Sequence, residues 1–64
     1  MSLAYDPGEK VKIRIWSKKE QKNIERIGLI NGLHPSSSPD APIYKVLTDY
    51  GTEYCGESNI IEVI

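Results

Sequence analysis

The chain is predicted to be all-β, a small barrel of five short strands, and three features carry that expectation. Residues 43–55 place β-branched and aromatic side chains on both sides of Asp49-Tyr50-Gly51, where Gly51 can supply the positive φ that a tight hairpin turn needs. Residues 10–16 alternate, with Val11, Ile13 and Ile15 on one face and Lys10, Lys12, Arg14 and Trp16 on the other. Gly28 and Gly32 interrupt the apolar residues Ile27, Leu29, Ile30 and Leu33, as a strand does where it bends or bulges at a barrel corner.

Taken in order, Asp6-Pro7-Gly8-Glu9 is turn chemistry, so the first strand starts near Glu9 or Lys10. Residues 17–25 are almost wholly polar and show no apolar stripe at helical spacing, which predicts a long solvated loop after the first strand. Residues 24–33 are read as one strongly bent strand, and a hairpin turning at Asn31-Gly32 is the competing reading. Residues 34–42 hold three prolines and three serines and predict an exposed loop. Pro42 cannot belong to a central strand, so the hairpin begins after it. Residues 56–59 are expected to form a short helical turn and residues 60–64 a last strand. Val11, Ile13, Ile15, Ile27, Leu29, Val46 and Val63 are the expected core, with Tyr44 beside them and Tyr54 at its rim.

With 64 residues the chain is a single domain, near the size at which one core only just suffices. A deep substrate cleft would remove side chains that such a core needs, and this argues against a self-contained enzyme. Cys55 is the only cysteine, which excludes an internal disulfide and any zinc site of repeated Cys and His; it is read as a half-buried strand residue in a reducing cytoplasm. No apolar run approaches the ~20 residues that span a bilayer, and the N-terminus lacks a secretory pattern, so a cytoplasmic protein without membrane contact is expected. Met1-Ser2-Leu3 is read as an expression leader.

Gly8-Glu9-Lys10-Val11-Lys12-Ile13, Gly28-Leu29-Ile30, Tyr44-Lys45-Val46 before the turn at Asp49-Tyr50-Gly51, and the ending Ser58-Asn59-Ile60-Ile61-Glu62-Val63 resemble the frame of SH3-like barrels. That superfamily includes KOW-type and Tudor-type modules and the small accessory subunit of photosystem I. The resemblance implies a five-stranded SH3-like barrel. It also implies an accessory or binding role, in which an aromatic ledge between loops stacks on bases, proline-rich peptides or alkylated lysine.

Three kinds of site follow from the residues. Residues 1–32 carry net +3 and residues 33–64 net −4, for a total of −1 and a pI near 5.7. Lys10, Lys12, Arg14, Lys18, Lys19, Lys22 and Arg26 make up the basic half, with Glu9, Glu20 and Glu25 interleaved. Such a cluster is first a solvated face, and alternatively a set of phosphate contacts for a nucleic acid. Trp16, on the polar side of its strand, and Tyr50, in a turn, are the expected exposed aromatics. One His and one Cys with no orienting acid at a recognisable spacing give no catalytic site, no metal site and no cofactor; His34 is read as a solvated loop residue. The functional expectation is a non-catalytic module that presents Trp16, Tyr50, Lys12, Arg14, Lys18, Lys19 and Lys22 to a protein partner, with nucleic-acid binding as the alternative. An unpaired edge strand would also permit a weak homodimer.

Overall fold

The computed structural model describes residues 4–64; the leader read at Met1-Ser2-Leu3 lies outside the described residues. Five antiparallel strands, β1 (Lys10–Ser17), β2 (Lys22–Leu33), β3 (Ile43–Thr48), β4 (Gly51–Gly56) and β5 (Ile60–Val63), form one sheet. Their order is β4-β3-β2-β1-β5, and a 3-10 turn, Glu57–Asn59, precedes the last strand. The sheet is not closed, because β4 and β5 stand at its two ends and do not pair with each other. Among the described residues no helix is long and apolar enough to cross a membrane.

The core is one cluster that reaches from edge to edge: Ile60 of β5, Val11 and Ile13 of β1, Ile30 of β2, Tyr44 and Val46 of β3, and Cys55 of β4. A flat sheet cannot cover its own face, so full burial of Val11, Ile13, Tyr44 and Val46 requires the sheet to curl around them. Tyr5 packs edge-on against Tyr44, with ring centroids 5.5 Å apart, and Ile15 closes the same cluster from β1. Among the described residues the buried Tyr44 hydroxyl has no hydrogen-bond partner.

Directly paired residues share a face of the sheet. Val11 pairs with Gly28 and Ile13 with Arg26, so β2 turns Gly28 and Ile30 inward and Ile27 and Leu29 outward. Ile27 and Leu29 are each 47% exposed and lie outside the core, contrary to expectation. Apolar composition favoured the wrong side of this strand, because glycine takes the inward position where space is smallest. A Cβ on Gly28 would stand 2.5 Å from the Leu47 carbonyl oxygen and 2.8 Å from Val46 Cγ1. Val63 is also corrected: it pairs with Val11 but is 54% exposed, since it lies on an edge strand that no further strand covers. Tyr54, placed at the core rim by the sequence, is exposed on the outer face.

The long polar loop expected at residues 17–25 is replaced by a four-residue turn, residues 18–21, because β2 already starts at Lys22 and pairs back to Ser17. Gln21 takes a φ of 54° there, and its N–H donates to the Ser17 carbonyl at 2.7 Å. Polar residues form these strands because each has a partner for its backbone groups. The bent-strand reading of β2 holds: its register against β3 shifts between Ile30 and Leu33, where Gly32 takes a φ of 97°. The hairpin at Asp49-Tyr50 is as expected, with Gly51 at φ 120° and the Thr48 hydroxyl donating to the Gly51 carbonyl and accepting from the Tyr50 N–H. Residues 34–42 form the expected loop. Serine oxygens organise it, with Ser37 Oγ accepting from the Ile43 N–H at 2.9 Å and Ser38 Oγ from the Ala41 N–H at 3.2 Å.

Candidate functional site

β5 pairs with β1 only as far as Ile13, and β3 pairs with β2 only from Gly28 onward. Beyond those points β1 and β2 continue alone, and residues 14–26 project from the body as a two-stranded arm. Four residues past Ile13 at about 3.3 Å each give the arm a reach of about 13 Å before its turn. The molecule measures 37 × 22 × 18 Å along its principal axes. The base of the arm is braced on both flanks. On one side Asn59 Nδ2 donates to the Arg14 carbonyl at 2.9 Å, taking the place of a ladder bond where β5 is no longer opposite. On the other, the Arg26 guanidinium lies 4.1 Å from the centre of the Tyr50 ring.

The arm gathers most of the basic residues. Residues 14–26 hold five basic and two acidic side chains, net +3, which leaves −4 on the rest of the chain. Arg14 stands opposite Glu25 with Nη2 and Oε2 4.0 Å apart, a loose exposed pair of little energetic weight. Lys18, Lys19 and Lys22 make no ion pair among the described residues. Trp16, 61% exposed, stands opposite Asn23 on the outer face of the arm. Tyr50, 78% exposed, meets Arg26 on the opposite face, so the two aromatics do not form one ledge. Lys12 does not belong to the arm: it lies on the body, where Nζ stands 3.0 Å from Glu62 Oε1, and that hydrogen bond raises its pKa.

The outer face of the body carries a second feature that the sequence did not announce. Lys10, Leu29, Leu47 and Thr52 stand side by side in one row across β1 to β4, and Ile27 stands next to Leu29 along β2. Ile27, Leu29 and Leu47 are 47, 47 and 40% exposed, and with Lys10 and Asp49 they line a shallow open depression. Strand alternation could have located this patch only once the inward face of β2 was known. Nearby, the His34 ring packs edge-on against Tyr54 at 4.7 Å, and its Nδ1 accepts from the Ser36 N–H at 2.9 Å, so His34 is a packed loop residue and not a merely solvated one.

Cys55 is buried, and desolvation followed by the nearby Glu53 carboxylate pushes its thiol pKa up, the opposite of an activated nucleophile. Among the described residues no three His, Cys, Asp or Glu side chains converge on a point that could hold a metal ion. Comparison with protein-family models, with curated proteins and with solved structures gave no match.

Proposed function

We propose that this protein is a non-catalytic binding module of the cytoplasm that docks a protein partner on the outer face of its sheet. One observation carries the reading: Ile27, Leu29 and Leu47 form a contiguous exposed apolar patch, rimmed by Lys10, Lys12, Thr52 and Asp49. An apolar centre with a polar rim is the anatomy of a protein interface, and apolar side chains gathered on one strand pair are otherwise a solubility liability. The buried, unactivated thiol suits a reducing compartment and adds no chemistry of its own. The strand order and the 3-10 turn before β5 support the finer reading of an SH3-like accessory module. The free outer edge of β4 supports weak self-association as a minor activity.

The test is recovery of a partner from the native cytoplasm, compared with the double variant Leu29→Lys/Leu47→Glu. Those residues face each other across β2 and β3, so the new charges pair and the sheet is kept while the apolar patch is lost. The variant should bind the recovered partner at least about tenfold more weakly. No recovered partner, together with turnover of a small molecule by the purified chain, reverses the assignment.

A further inference from the structure

We infer that the projecting arm is a binding site for single-stranded nucleic acid, in which Lys18, Lys19 and Lys22 contact phosphates and Trp16 stacks on a base. The site is separate from the apolar patch of the body and does not depend on it. Four observations converge on residues 14–26. They continue past the rest of the sheet as a two-stranded ribbon held to the body only at its base, bounded where β5 ends at Ile13 and β3 begins at Gly28. They carry net +3 on a chain whose remainder carries −4, so a polyanion is attracted to the arm and repelled by the body. Their three turn-proximal lysines make no ion pair among the described residues, whereas Lys12 and Arg14 at and below the base face Glu62 and Glu25. And Trp16, the only tryptophan, lies exposed one residue before the strand end, within reach of the same turn.

The interleaved acids that made the sequence read as a neutralised, solvated face are sorted by the fold. Glu9 lies on the body, where its carbonyl accepts from the Ile30 N–H, and Glu25 is turned to Arg14. Only Glu20 remains among the lysines of the turn. Phosphate contacts give affinity without sequence preference, and a flat aromatic surface accepts any unpaired base. Lys22 pairs with Ser17 and so stands on the face opposite Trp16, with Lys18 and Lys19 in the turn between them. A flexible single strand that crosses the tip reaches both faces, and its bases are free, whereas those of a duplex are already stacked.

The experiment uses the full chain and a labelled mixed-sequence single-stranded oligonucleotide of about 12 nucleotides, within the site sizes of small single-strand binders. Binding should quench Trp16 emission and raise the anisotropy of the label, and the affinity should fall about 10- to 100-fold between 50 and 200 mM salt. Lys18→Gln/Lys19→Gln/Lys22→Gln should abolish most of the affinity and flatten the salt dependence. Lys45→Gln, on the body, should change it less than about threefold. Trp16→Ala should weaken binding about 5- to 100-fold and Trp16→Phe should restore most of it. All variants lie on exposed or half-buried positions, and far-UV circular dichroism checks that each keeps its sheet.

The inference is overturned by any of four results: no binding at low salt; equal loss in the body variant; duplex bound as well as single strand with Trp16→Ala silent; or lysine-dependent binding to phosphatidylserine vesicles without binding to oligonucleotide. Loss of the protein partner in the Leu29→Lys/Leu47→Glu variant with oligonucleotide binding intact separates this site from the docking face.

Discussion

Up to Ile13, β1 lies between β2 and β5 and its inward residues Val11 and Ile13 are fully buried; past Ile13 it keeps only β2, and no side chain of residues 14–26 reaches full burial. The same two strands thus pass from a packed body into a solvated arm within a few residues. In the body, burial of apolar side chains supplies the stabilisation, and the ladder aligns them. In the arm the ladder is joined only by the half-buried pair Ile15 and Ile24, of which Ile15 still packs against the core, and an isolated two-stranded ribbon is marginal in water. What keeps it extended is attachment: Asn59 on the Arg14 carbonyl, Tyr50 under Arg26, and the body registering both strands at their base. A region that contributes little to stability is free to carry charge and an exposed Trp, side chains that the body could not accommodate inside.

The widest separation between the two regions is expected from truncating Ile13 on the body. Ile13→Ala should cost roughly 2 to 4 kcal/mol in urea unfolding followed by circular dichroism, a large share of the stability of so small a domain. Trp16→Ala, three residues further along the same strand, should stay within about 0.5 kcal/mol. Equal costs at both positions would erase the distinction between arm and body.

At the junction, Gly28→Ala should cost about 1 to 3 kcal/mol, because the nearest obstacle to a new Cβ is the Leu47 carbonyl of the β3 backbone, which cannot rotate away. A neutral result in the same unfolding assay would mean that β2 and β3 are less closely held than their geometry indicates.

The smallest effect belongs to the arm tip. Gln21 holds a left-handed backbone conformation at φ 54°, so Gln21→Gly should remove strain and stabilise the turn by up to about 1 kcal/mol. Because arm opening is local, the gain should appear as slower hydrogen exchange at residues 16–23, with body amides unchanged. Faster exchange at those residues would show that chain entropy outweighs the strain.

Outside residues 17–25, the sequence by itself determined which segments extend and where the chain reverses. Period-two alternation over residues 10–16, the glycine and turn residues at 49–51, the three prolines of residues 34–42 and the positive-φ glycine at 32 are local signals, and the strands, hairpin, loop and bulge follow from them. The exposure of Trp16 and Tyr50 and the burial of Tyr44 were legible on the same grounds, since each depends on its own strand or turn. Only the tertiary structure decided which face of β2 points inward. Ile27 and Leu29 alternate with Gly28 and Ile30, and either pair could face the core until pairing to Val11 fixed the register; a shift of one residue exchanges the faces. It also decided that residues 22–25 are strand and not loop, because a polar segment gains strand structure from the partner that hydrogen-bonds it, and that partner, residues 14–17, can be identified only once the turn has closed. The apolar patch and the charged arm both arise from those two decisions, which is why the sequence listed their residues without bringing them together.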